Sequence, residues 1–269
     1  MASVAHTLGD GAVVARRNLI KIKRVPELLL WTTMSPIMFV LLFGYIFGSA
    51  IVLQGTTYRE FLIAGIFAQT VVFGATFTGA GMAEDMQKGI IDRFRSLPMA
   101  RSAVLVGRTA SDIAYNSISL VVMSLTGLLI GWSISTNALE ALGGYLLLLF
   151  FAYAVSWVMA YVGMLVSSPE AINNASFMVI FPMTFIANTF VPIDNFPSVL
   201  KTVAEWNPVS TLAQAVREAF GNTDPSMYNT DAWSLHNPIV YTLIWIVILL
   251  VIFIPLSVRQ YQKTAARSK

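Results

Sequence analysis

Residues 28–47 carry no charged side chain, and neither do residues 239–258. A run of about 20 apolar residues, wound as an α-helix, extends about 30 Å, which is the thickness of a bilayer's hydrocarbon core. Further apolar runs occupy 61–82, 102–132, 141–166 and 171–191. Apolar residues are continuous within them rather than alternating, which argues for helices over barrel strands. In lipid the backbone must satisfy its own hydrogen bonds, and a helix does so within one segment. Composition agrees: 12% of the 269 residues are charged, against about 25% in a soluble domain. The expectation is an all-α, polytopic membrane protein with six transmembrane helices, forming a single domain over 1–269.

The charged residues are concentrated between the runs. Residues 4–24 repeat Val4, Leu8, Ala12, Ala15, Leu19 and Ile22 at helical spacing, with Arg17, Lys21 and Arg24 off that stripe. This predicts a basic amphipathic helix in the membrane interface, stopped before Pro26. Residues 84–101 form an island with seven charges: Glu84, Asp85, Lys88, Asp92, Arg93, Arg95 and Arg101. Such an island must stand in water or against another protein, and two readings are open. It is an ordinary solvated loop that fixes topology, or a handle gripped from outside the membrane. Arg108 and Asp112, spaced i to i+4, are expected to pair at the membrane edge. Fourteen of the 17 basic residues fall on the side of the termini and the island. By the positive-inside rule both termini and the island are cytoplasmic, and 192–237 is external. The expected location is a bacterial plasma membrane, with multiple crossings and a surface facing membrane lipids.

Several chemistries are excluded. The chain has no cysteine and only two histidines, His6 and His236, so no metal site is expected. No phosphate loop, HExxH or GxSxG occurs, so the chain hydrolyses no ATP itself and carries no cofactor. Its basic excess fits membrane orientation rather than nucleic acid. No ionisable group is expected in the central part of any span, which argues against a proton relay.

Two motifs narrow the reading. Glu84, Lys88, Gly89, Arg93, Arg95, Ser96, Leu97, Pro98 and Arg101 resemble the loop between spans two and three of ABC-2 type exporter permeases. Phe190, Val191, Pro192, Pro197, Asn207, Pro208, Val209 and Arg217 resemble that family's signature after span five. Within the family the chain is most similar to daunorubicin/doxorubicin-resistance permeases of actinobacteria. The resemblance implies a permease subunit, not an enzyme, that pairs with a second permease, identical or homologous. It also implies a separate ATP-binding cassette subunit, which holds the ATP and Mg. Coupling to that ATPase would fall to Glu84, Asp85, Lys88, Gly89, Arg93, Arg95, Pro98 and Arg101. Arg16, Arg17, Lys21 and Arg24 of the interfacial helix would meet ATPase or lipid headgroups. The segment 192–237 would form short external re-entrant helices.

The implied function is outward movement of a hydrophobic or amphipathic drug or antibiotic. Phe67, Phe73 and Phe77 of span two, with Met178, Phe181 and Phe185 of span five, are candidates to line the pathway; lipid-facing or packing roles compete for each. A complex cell-wall lipid or a polysaccharide is an alternative cargo. A membrane-embedded lipid-modifying enzyme is a further alternative, and it would need an acid, histidine or metal cluster at one face.

Overall fold

The computed structural model describes residues 4–24, 26–48, 51, 53, 55–90, 103–166, 168–223 and 230–267. Among the described residues the chain is all-helical, with no strand. The predicted amphipathic segment is helix α1 (Val4–Arg24), and α2 (Pro26–Ile46) follows it and runs through Pro36. Helices α3 (Tyr58–Gly74) and α4 (Thr76–Gln87) meet at Ala75, whose φ of −65° and ψ of −20° are helical. They form one 30-residue rod. Next come α5 (Ala103–Leu129), α6 (Ala138–Gly163) and α7 (Pro169–Ile186). A 3₁₀ turn at Ile193–Asn195 leads to α8 (Ser198–Glu205), α9 (Pro208–Phe220), α10 (Trp233–His236) and α11 (Pro238–Arg267).

Among the described residues, four segments are long and apolar enough to cross a membrane: Tyr58–Gln87, Ala103–Leu129, Ala138–Gly163 and Pro238–Lys263. Of the 21-residue α2, the part with described side chains, Thr33–Ile46, is apolar. Helix α7 lies over the expected fifth span but is diluted by Glu170, Asn173 and Asn174. Thus four of the six expected spans meet both criteria. Among the described residues, the segment after α7 is a set of short helices rather than a loop.

Local chemistry sets several helix ends. Thr57 and Glu60 form a reciprocal capping box at the start of α3. Asn137, Ser168 and Asn207 cap α6, α7 and α9 through their side chains, the last two followed by proline in the first turn. Gly221 ends α9 with a φ of 69°, a left-handed conformation that glycine adopts without a Cβ penalty.

The α3–α4 rod is the central post. Its most apolar window is 83% buried, against 11% for that of α11, which therefore turns outward. Small residues allow the post to be approached closely. A Cβ on Gly163 of α6 would collide with the backbone of Gly79, so these helices touch backbone to backbone. Helix α1 lies along α5, where a Cβ on Gly107 would strike the Gly11 carbonyl and Val14. The face of α1 buried against α5 is thus Gly11 and Val14, with Asn18 donating to Ser111 at 3.1 Å. Of the expected stripe, Ala12 is exposed and Ala15 half-buried, and the side chains of Val4, Leu8, Leu19 and Ile22 lie outside the described residues.

Candidate functional site

At 1.5 Å per residue, the 30-residue α3–α4 rod is about 45 Å long and outreaches the hydrocarbon core by about 15 Å. The charged island begins as helix at the C-terminal end of this rod. Glu84 and Asp85 belong to α4, and Lys88 caps it. The two acids diverge. Asp85 is only 5% exposed, whereas Glu84 lies at the surface side and pairs with Lys88 at 2.5 Å. That bond holds the exposed Lys88 ammonium above the usual lysine range. Gly89 follows with a φ of 64°.

Asp85 is the hub of a three-helix ion cluster. Its Oδ1 accepts from Arg17 Nη2 of α1 at 3.0 Å, and its Oδ2 accepts from Arg108 Nη1 of α5 at 3.5 Å. Arg108 also donates to the Phe77 carbonyl at 3.2 Å and lies directly over Gly81, where any side chain would displace it. The expected pairing of Arg108 with Asp112 on its own helix is therefore replaced by a cross-helix pair. Glycine at 81 opens that route, and the carboxylate at its end is already buried. The cluster also corrects the view of 84–101 as a wholly solvated island, because Asp85 is held inside the chain.

The remaining expected contacts divide as follows. Arg16 is exposed on α1. The side chains of Lys21 and Arg24, and all of Arg93, Arg95, Pro98 and Arg101, lie outside the described residues.

Beside the cluster, Asn18, Phe77, Glu84, Lys88, Arg108, Asp112 and Glu170 contribute to a cavity of about 440 Å³. A second cavity of about 400 Å³ lies between α2, the α3–α4 rod, α5 and α7. It is walled by Phe39, Phe73, Phe77, Phe177 and Phe181, with Gln69, Thr70 and Ser119 as polar groups. Of the expected pathway residues, Phe73, Phe77 and Phe181 thus meet at one cavity. Phe185 is stacked on Phe181 at 4.1 Å between centroids and extends the same aromatic row. Two do not join them. Phe67 is fully buried among Trp132, Phe220 and Tyr145, because its position on the central post faces α9 and α6. Met178 is 79% exposed on the outer face of α7.

The second motif builds a different structure. Arg217 of α9 is fully buried, donating to the Phe61 carbonyl at 3.0 Å and the Asn188 carbonyl at 2.6 Å. Its guanidinium lies 3.7 Å from the centroid of the Phe61 ring. Asn207 caps α9 and also donates to the Met183 carbonyl at 2.7 Å, while the Asn188 amide donates to Ser210. Tyr58 donates to the Phe190 carbonyl at 2.9 Å. The motif residues thus lock α3, the end of α7 and α9 together. Sequence reading found Arg217 only as part of a pattern, and its neighbour Glu218 gave no sign of burial.

A family model described as ABC-2 type transporter matches residues 12–220, which contain both the ion cluster and this lock. The chain belongs to the ABC-2 type transporter family. This permease is 32% identical over 207 residues to the daunorubicin resistance ABC transporter permease protein DrrB1 of Streptomyces coeruleorubidus. That match covers 77% of this chain and 73% of the relative. Putative transport permeases, ycf38, of Porphyra purpurea and Pyropia yezoensis are 23% and 22% identical, over 78% and 77% of this chain. They are covered over 74% and 72% of their length. The relatives are membrane permeases, so the role is transport rather than catalysis.

Proposed function

We propose that this permease is the membrane-spanning half of an ATP-driven exporter, moving a hydrophobic or amphipathic compound outward across the plasma membrane. A separate ATP-binding cassette subunit supplies the energy, binding the ATP and Mg, and a second permease completes the pathway. The chain crosses the membrane six times, with α2 and α7 adding to the four long spans. Both termini and 84–101 face the cytoplasm, and 192–237 faces outward. The similarity to a daunorubicin resistance permease supports a drug-like cargo.

One observation carries this reading: Asp85 joins α1, the central post and α5 at the root of the island. A partner pressing on Glu84, Lys88 and the segment beyond them displaces the end of a rod that forms the core of the bundle. In this reading Glu84 and Lys88 contact the ATPase and Asp85 transmits the motion. Coupling to Arg93, Arg95, Pro98 and Arg101 extends the same surface.

The test is co-reconstitution with the partner ATP-binding cassette subunit. Glu84→Lys should lower ATP-driven export about tenfold or more while membrane insertion stays at the wild-type level, because it reverses the charge presented to the partner. Export at the wild-type rate would overturn the docking assignment.

A further inference from the structure

A groove of about 500 Å³ lies between α6, α9 and α11. It shares no residue with the two cavities described above. Gly143 opens its floor, since a Cβ there would meet nothing within 4 Å. Leu146 and Phe150 of α6 and Leu243 of α11 line it with exposed apolar surface. Two carboxylates, Glu140 of α6 and Glu218 of α9, complete the wall, and among the described residues no Lys, Arg or His joins them.

The groove has the depth of one leaflet. Glu140 and Phe150 lie on one helix, about 15 Å apart along its axis, and the hydrocarbon core is about 30 Å thick. An aromatic cluster marks the interface at the charged end. Trp206 and Trp233 are exposed and each meets the Tyr241 ring edge to face, at 5.9 and 6.2 Å between centroids. Rings with polar tips gather in this way where membrane meets water. Tyr241 is in the first turn of α11, just before Leu243, and Glu140 is in the first turn of α6. The carboxylates therefore sit at headgroup level and Phe150 near the bilayer midplane. Apolar walls at that depth suit an acyl chain, and the acids suit a cation. Glu140 is exposed, and half-buried Glu218 is faced by the Gln214 amide at 3.1 Å. Burial holds the Glu218 carboxyl above the usual range, a cost that an ammonium alongside would remove.

We propose that this groove binds an aminophospholipid of the surrounding bilayer, with its primary ammonium between Glu140 and Glu218 and an acyl chain along Leu146, Phe150 and Leu243. Two carboxylates repel an anionic headgroup. A choline headgroup carries the positive charge but has no N–H to donate. Glu218 follows Arg217 in α9, so the bound headgroup braces the locked end of that helix from the lipid side. The inference takes from the exporter reading only that this interface is the outer one.

The test uses the full-length permease, delipidated in detergent and titrated with dioleoyl phosphatidylethanolamine, phosphatidylcholine or phosphatidylglycerol. Bound lipid is counted by native mass spectrometry. The ethanolamine lipid should bind at least about tenfold more tightly than either of the others, the scale of a hydrogen bond to a charged group. Replacing both acids, Glu140→Gln with Glu218→Gln, should bring it to the affinity of the choline lipid and leave the latter's binding unchanged. Gly143→Leu fills open space, so it should fold and weaken the ethanolamine and choline lipids alike. Equal binding of the three lipids to the wild type overturns the proposal, whatever the variants do. So does a double variant that keeps the preference or weakens all three lipids equally, and so does a Gly143→Leu protein that binds the ethanolamine lipid as the wild type does. Since neither ATP nor cargo is used, failure here leaves the exporter reading intact, and failure of ATP-driven export leaves this site intact.

Discussion

Two arginines at opposite ends of the same central post show how one residue type serves two purposes. Arg217 lies against Phe61 near the start of the rod, and Arg108 pairs with Asp85 near its end. Those rod positions are about 36 Å apart along the helix axis. Arg217 is fully buried, gripped by two backbone carbonyls and stacked on a ring. The Phe61 carbonyl cannot swing away without unwinding α3, so that end is a fixed lock. Arg108 and Arg17 instead share a side-chain carboxylate, with Arg17 partly exposed and a cavity alongside. The Arg17 arm of that cluster is its exposed one, and an exposed ion pair is remade at low cost. The difference assigns rigidity to the Arg217 end and movement to the Asp85 end.

The comparison breaks first if the lock is removed. Arg217→Met should cost about 3–5 kcal/mol, since it leaves the Phe61 and Asn188 carbonyls without their donor in a dry interior. The expected result is loss of folded protein from the membrane, read by size-exclusion after solubilisation. A well-folded variant that fails only in transport would place the moving part at the wrong end.

The smallest effect is also at the locked end. Burial pushes the Glu218 carboxyl above the usual range, with the hydrogen bond from Gln214 opposing. For an acid whose pKa is raised on folding, the folded state is favoured at low pH and loses that advantage as pH rises. Glu218→Gln removes the penalty of ionisation. It should raise Tm at pH 7 by about 1 °C, with the difference vanishing below the ordinary carboxylate range. A Tm increase that grows as pH falls would contradict the sign.

Much of this was legible in the sequence. The four long spans and α1 follow from apolar run length and from the break at Pro26. Family membership followed from two motifs in their topological places. The rest depended on packing that no periodicity records. Gly11 and Gly107 let α1 and α5 approach closely. Gly81 redirected Arg108 from Asp112 to Asp85. Phe67 reads like Phe73 and Phe77, yet it faces α9 and α6 from the core. A charge count made Asp85 part of a solvated island because it cannot see that α4 continues to Gln87. It likewise missed Asp112 as a buried carboxylate, since the i to i+4 rule supplied it with a partner.

The central claim is that the Arg17–Asp85 contact carries motion from the island to the bundle. The direct measurement is efflux per ATP hydrolysed in proteoliposomes holding the permease and its ATPase, for Arg17→Ala and Arg17→Lys. Arg17 is partly exposed and Asp85 keeps Arg108, so both variants should fold. The account predicts that Arg17→Ala lowers efflux per ATP about threefold or more, at a normal hydrolysis rate, and that Arg17→Lys restores most of it. Wild-type efflux per ATP in Arg17→Ala would contradict it.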